Sequence, residues 1–344
     1  MGIDLAFVWA AIIAFAVLAY VVLDGFDLGI GILFPLLGEK QARDDAMNSV
    51  APVWDGNETW LVLGGGGLFA VFPLAYAIVL PALYAPIIAM LIGLVLRGVA
   101  FEFRWRTERG RFIWDWAFFF GSSVAALAQG IALGALVQGI RVEGRAYAGG
   151  WYDWLTPFSM ATGIALLVGY ALLGATWLIM KTEGDVQRRA RRFAQPLALA
   201  LVAGILVFSV WTPFLEAKYM QRWFGFPSML YAAPIPILTA LAAWRLIASV
   251  REAQPSPDRT VARHEREPFL ATLALFVLCY AGIGFSFYPH IVPPSVTIWD
   301  AAAPESSLKF LLVGASVLVP LILAYTAYAY WVFRGKVASG GGYH

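Results

Sequence analysis

Long apolar stretches, broken by short charged or proline-containing segments, run through the chain from residue 5 to residue 333. The breaks divide them into nine spans: 5–23 (continuing weakly to 37), 52–72, 76–101, 114–138, 155–180, 196–215, 228–249, 268–289 and 308–333. A helix crosses a bilayer with about 20 apolar residues. Lipid offers backbone groups no hydrogen-bond partner, so spans this apolar are helices. A barrel would need alternating polar and apolar positions, which these stretches lack. Trp60–Leu96 holds no charged residue over 37 positions, enough for two crossings. Pro73 sets the break between them, because proline has no amide to continue a helix. The pattern predicts an all-α polytopic membrane protein with about nine transmembrane helices, a single integral membrane domain over 1–344.

Composition agrees. Apolar residues make up 60% of the 344 and charged residues 13%, with a mean hydropathy of +0.72. Soluble domains run at roughly 25% charged. The net charge of +2 gives no argument for a nucleic-acid partner. The single cysteine, Cys279, lies in an apolar run, so a disulfide framework and a Cys-based metal site are both excluded. Met1–Asp4 lacks the basic start of a cleavable leader, and the first helix is expected to stay in the mature protein.

Charge also sets a direction. Seventeen of the 24 Lys and Arg residues fall in one set of alternate loops, from Lys40 and Arg43 to Arg334 and Lys336. The other set holds five: Arg141, Arg145, Lys218, Arg222 and Lys309. Positive loops stay cytoplasmic, which places the N-terminus outside and the C-terminus inside. The loops around 181–195 and 251–267, the second broken at Pro255–Pro257, read as orientation signals and lipid-surface contacts.

Charges within apolar spans are costly and usually mark an ion route, a partner or a cofactor. Asp24 and Asp27 stand at i, i+3 on one helical face, with Gly25, Gly29 and Gly31 allowing close helix approach. The competing reading is a helix that ends at Asp24 with both acids solvated. Asp55, Asn57 and Glu58 open the second span between Trp54 and Trp60. A cap favoured by the helix dipole and a functional group are both open there. Gly64–Gly67 has no following Lys-Ser/Thr, so it reads as a tight helix-packing surface rather than a phosphate loop. Arg97 lies about one turn inside its span, and its natural partner is a carboxylate on another helix, with Asp27 or Asp115 as candidates. The alternative is snorkelling to the interface. Glu102 and Arg104 mark the cytoplasmic boundary, and Trp299-Asp300 reads as an interfacial turn.

The three histidines, His264, His290 and His344, all fall outside the spans. Haem in a helical bundle generally takes His, Met or Cys ligands, so the chain by itself is expected to bind no haem. Two classes survive this inventory. One is a proton-conducting or structural subunit of a larger membrane enzyme, and the other is a secondary transporter using intramembrane Asp residues. Transporters often carry matching broken helices in two halves. Here the acidic signatures crowd into the first 116 residues, which favours the subunit.

At these same residues the chain resembles subunit II of cytochrome bd-type quinol oxidases, including the cyanide-insensitive branch. The matching stretches are Asp24–Gly31, Asn48–Asn57, Arg97, Trp114-Asp115-Trp116 and Tyr288–Ala301 with its Pro293-Pro294-Ser295. They come in order and span nearly the whole chain. The resemblance implies two four-helix bundles plus a peripheral helix, here 5–138 and 155–333. It implies a sister subunit I with two b-type haems and a d-type haem, quinol oxidation on the outer side, and reduction of dioxygen to water with protons drawn from the cytoplasm. A proton gradient then forms across the bacterial cytoplasmic membrane without pumping. Asp55 would belong to a proton path at the subunit interface, and the neighbouring acids Asp24, Asp27 and Glu58 are, from the residues themselves, further candidates for it. Asp27, Arg97 and Asp115 would support assembly and haem retention. The resemblance leaves open a structural quinone in this chain, a small accessory subunit, and which quinol pool is used.

Overall fold

The computed structural model describes residues 4–252 and 261–337, with side chains from 265 in the second stretch. The Pro255–Pro257 break, His344 and the side chain of His264 lie outside the described residues.

The first helix, α1 (Leu5–Leu33), is capped by Asp4, whose carboxylate accepts from the Phe7 amide at 3.0 Å. It runs unbroken through Asp24 and Asp27, so the acids are not at a helix end. A short α2 (Lys40–Asn48) follows, then α3 (Trp54–Val71) and α4 (Pro73–Ala82). Pro73 opens α4, which is bent by 118° from α3. The next crossing, α5, is Tyr84–Arg106. The expected span 76–101 is therefore corrected: its first residues form a ten-residue fold-back, about 15 Å long and too short to cross. Pro81 and Pro86 bracket the break at Leu83.

Then come α6 (Arg111–Gln138), α7 (Pro157–Lys181) and α8 (Gly184–Trp211). Thr156 and Ser159 cap α7 reciprocally, and Pro157 suits the first helical position. Two short helices, α9 (Ala217–Phe224) and α10 (Ser228–Ala232), lead into α11 (Pro234–Glu252) and α12 (Val261–Phe287). The chain closes with the four-residue α13 (Ile298–Ala301) and the long α14 (Glu305–Val332). Among the described residues eight helices are long and apolar enough to cross a membrane, and the bent pair α3–α4 makes a ninth. Two-residue and three-residue hairpin strands, 142–143 with 146–147 and 290–292 with 296–297, are the only sheet among them.

Small residues set how closely the central helices pack. A Cβ at Gly29 would lie 1.8 Å from the Tyr170 carbonyl oxygen, and one at Gly174 would lie 2.4 Å from the Gly29 backbone, so α1 and α7 touch main chain to main chain. Gly93 and Gly121 do the same for α5 and α6. The Gly64–Gly67 run behaves differently from its reading as a packing surface. Gly64 and Gly67 face Val17 and Ile13 of α1, but Gly65 and Gly66 have nothing within 4 Å and look outward. Four consecutive residues circle a helix, so one neighbour can cover only part of them. The last helix, α14, lies along α1 and α3 with Leu308 as its one buried residue among those described.

The two sets of alternate loops gather at opposite ends. At one end Arg104 reaches Asp44 and Asp115 at 2.6 Å each, Arg43 reaches Asp115 at 2.8 Å, and Lys336 reaches Glu265 at 2.8 Å. At the other, Trp299 donates to Asp4 at 2.8 Å and Lys218 to the Pro294 carbonyl at 3.1 Å.

Candidate functional site

The membrane-embedded charges converge where α1, α3 and α5 meet, in the third of the bundle nearest the charged end. Asp24, Asp27 and Arg97 are fully buried and Asn57 nearly so. Arg97 Nη1 donates to Asp24 Oδ1 at 2.5 Å, and Nη2 donates to Glu58 Oε1. The guanidinium carbon also stands 5.7 Å from the Trp54 ring centroid, a cation–π distance, and Trp54 stacks on Phe101 at 4.7 Å. Arg97 is thus anchored by two carboxylates from different helices and by an indole face.

These partners correct the expected ones. Asp27 does not hold Arg97: it accepts from Asn57 Nδ2 at 2.7 Å. Asn57 Nδ2 also reaches the Leu23 carbonyl at 3.2 Å, and its Oδ1 accepts from the Tyr330 hydroxyl at 2.9 Å. The Leu23 carbonyl can only accept, so it fixes which way the amide points. Asp115 is at the charged end, paired with Arg43 and Arg104. An i, i+3 pair shares a face, but its two members lean toward different neighbours, and Asp24 is the one that faces α5. Arg104, expected to mark the boundary, is wholly buried among Asp44, Asp115 and the Phe34 ring. Glu102 is exposed beside Arg106, as a boundary residue would be.

Asp55 lies in the first turn of α3 and faces the surface of the chain. Val53 is the N-cap and provides no side-chain cap. Glu58, one turn deeper on the same face, has a side chain 28% exposed. The carboxyls therefore step inward from exposed Asp55 to half-buried Glu58 and on to buried Asp24 and Asp27. A single guanidinium balances a single carboxylate, and further net charge is expensive at this depth.

Residues that the pattern of charges did not single out complete the site. Tyr330 closes it from α14, with its ring edge-on to Phe26 and Trp177. Tyr20 precedes Asp24 by four residues and Asp27 by seven, on the same stripe of α1, and that spacing was a readable signal. Outside the membrane-spanning segments, Trp299-Asp300 is the expected turn. The Thr297 hydroxyl and Asp300 cap each other, and the Thr297 hydroxyl and amide hold the Asp300 carboxyl below the usual range. His290 sits beside that turn, where partial burial and the nearby Lys218 lower its pKa.

A many-span helical bundle with acids gathered about one buried arginine defines a class, the polytopic membrane proteins that hold paired charges inside the bilayer. Within that class the chain belongs to the family described as cytochrome bd terminal oxidase subunit II, whose sequence model matches residues 5–333. It is 32% identical to subunit 2 of the cytochrome bd-I ubiquinol oxidase of Escherichia coli K12, covering 97% of this chain and 95% of that one. It is 27% identical to subunit 2 of the Bacillus subtilis cytochrome bd ubiquinol oxidase, covering 96% of each. The solved bd oxidase of Geobacillus thermodenitrificans contains a chain of the same fold, with a TM-score of 0.71 over 97% of this chain and 100% of that one at 18% identity.

Proposed function

We propose that this chain is subunit II of a bd-type terminal quinol oxidase in the bacterial cytoplasmic membrane, and that its part in the reaction is assembly and proton delivery. Family membership supports the first half, and the relatives named above are subunits of ubiquinol oxidases. The inward-stepping cluster of Asp55, Glu58, Asp27, Asp24 and Arg97 is the observation that carries the second. Reducing dioxygen to water consumes protons inside a bilayer that bulk water does not reach, so a route needs groups that can hold and pass them. The donors of this cluster are carboxylates around a guanidinium, not the His, Met or Cys ligands generally used for haem iron in a bundle. The haems b and d are accordingly assigned to subunit I, where they supply the electron transfer and oxygen chemistry.

Within this chain Asp55 receives protons at the surface, Glu58 passes them inward, and Asp27 is held ready by Asn57. Arg97 keeps the carboxyls gathered without a net charge that the bilayer would reject. Asp115, with Arg43 and Arg104, ties α2 to α5 and α6 and serves assembly. The positive loops face the cytoplasm, with the N-terminus outside.

Asp55→Asn tests the proton role. Asn keeps the size and the polarity but cannot carry the proton, and Asp55 is not the N-cap of α3, so no cap is lost with it. Oxygen consumption by the assembled oxidase falls by about tenfold or more if the role is proton transfer, with haem content unchanged. Normal turnover with full proton uptake reduces Asp55 to a helix-end residue.

A further inference from the structure

Three polar side chains from otherwise apolar helix segments meet between the two halves of the bundle. The Tyr170 hydroxyl of α7 donates to Gln129 Oε1 of α6 at 2.8 Å, and Gln129 Nε2 donates to the Tyr20 oxygen of α1 at 2.8 Å. Tyr170 is 0% exposed and Tyr20 4%. The proton path described above uses none of the three. Interhelical hydrogen bonds of this kind can be plain packing glue, and the geometry next to Tyr20 decides against that reading alone.

A hydroxyl has one hydrogen to give. Tyr170 gives its own to Gln129. Tyr20 accepts from Gln129 and keeps its own hydrogen, four residues before Asp24 on the same face. Helical side chains lean toward the N-terminus, which brings Asp24 back over Tyr20. Asp24 Oδ1 is taken by Arg97, while Oδ2 is buried and has no hydrogen-bond partner among the described residues. A donor with an unused hydrogen and an acceptor with an unused oxygen are neighbours in a buried site. We infer that Tyr20 is a positioning residue, which gives its hydrogen to Asp24 Oδ2 with its direction set by Gln129 and Tyr170.

Asp24 is then held on both oxygens, by Arg97 on one and Tyr20 on the other. It acts as a fixed carboxylate that anchors the cluster, and the travelling proton passes it by through Glu58 and Asp27. The inference rests on the proton-path reading and narrows it by moving Asp24 from carrier to anchor. The groups facing Asp24 are Arg97 of α5, Glu58 of α3, Tyr170 of α7 and Tyr330 of α14, with Tyr20 and Asp27 on its own helix. When the Tyr20 hydrogen bond is lost, Asp24 competes for the protons meant for its neighbours.

Three variants of the assembled oxidase test this: Tyr20→Phe, Gln129→Met and Tyr170→Phe. The readouts are turnover per haem against pH, quinol KM and complex yield. The inference predicts that Tyr20→Phe moves the acid limb of the turnover profile up by roughly one pH unit, the equivalent of one charge-assisted hydrogen bond. Yield and quinol KM stay unchanged. Gln129→Met gives a smaller shift in the same direction and Tyr170→Phe the smallest, because each leaves the Tyr20 hydroxyl in place. Packing glue reverses that order: Gln129→Met, which loses two hydrogen bonds, lowers yield the most while the profile stays put. That result overturns the inference, as does a wild-type profile in Tyr20→Phe. If Tyr20→Phe assembles poorly, the Gln129→Met profile decides the matter in the same way. Asp55→Asn measured alongside separates the two claims. Slowed turnover there with an unmoved Tyr20→Phe profile rejects only the role of Tyr20, and normal turnover there rejects the path itself.

Discussion

A guanidinium cannot lose its charge to suit an apolar surrounding, so Arg97 obliges other residues to come to it. Asp24 and Glu58 do so from two helices, and Trp54 covers the remaining face. Arg97→Ala leaves both carboxylates without their cation, a loss of roughly 3–5 kcal/mol for a broken buried pair. The expected result is reduced complex yield and haem content in membranes, with quinol affinity unchanged in whatever assembles. Full haem content and normal assembly in this variant would show that the pairing is dispensable. The need for a partner was legible from an arginine inside an apolar run. Its identity was not, because Asp24 and Asp27 share a helical face and only the neighbouring helices separate them. Asn57 takes one and Arg97 the other. Tyr330 and Gln129 gave no signal, since a hydroxyl or an amide in an apolar stretch looks like ordinary interfacial or packing polarity until the helices are assembled.

Among the elements, α1 does the most to unify the molecule, because it carries the acids on one stretch and the closest helix contact on the next. Gly29 lies two residues past Asp27 and meets the backbone of α7. Gly29→Ala puts a methyl group where the Tyr170 carbonyl oxygen already is, so the two helices must separate. Flexible side chains cannot absorb the clash, and overpacking of this kind costs about 1–3 kcal/mol. Thermal unfolding of the purified complex in detergent is expected to shift to lower temperature, and an unchanged transition would contradict the close crossing. The glycines around Asp24 were readable as a contact surface. Gly64–Gly67 was read the same way and is half open, since a run of glycines says that close approach is allowed, not that a neighbour comes. The fold-back after α3 was hidden for a related reason. Pro73 announced a break, but the run stays apolar through Pro81 and Pro86, and hydropathy alone does not distinguish a short bent helix from the start of a crossing.

At the scale of the whole molecule, the loop charges and the three-dimensional arrangement agree on which segments share an end. Residues 40–48, 104–115, 181–191 and 333–337 gather at one end, and the hairpins and α13 gather at the other. Assigning the charged end to the cytoplasm rests on the asymmetry of 17 basic residues to five. A C-terminal reporter that works only in the cytoplasm is the expected outcome, and one active only outside would place the charged end, with Asp55, on the opposite side of the membrane. The span count and the ends were legible because hydrocarbon imposes one rule on every segment. The site was legible only as a collection of costly charges, since which of them meet depends on helix crossings that no local pattern records. In the proposed function this chain delivers protons to, and assembles with, a haem-bearing partner whose chemistry it does not perform itself. The most direct test is to purify the complex through a tag on this chain, then compare its absorption spectrum and quinol-dependent oxygen consumption with those of the chain separated from its partner. A haem spectrum and oxygen consumption are expected in the complex, and neither in the separated chain. A stoichiometric Soret band in the separated chain, or a tagged preparation with no haem-bearing partner, would contradict it.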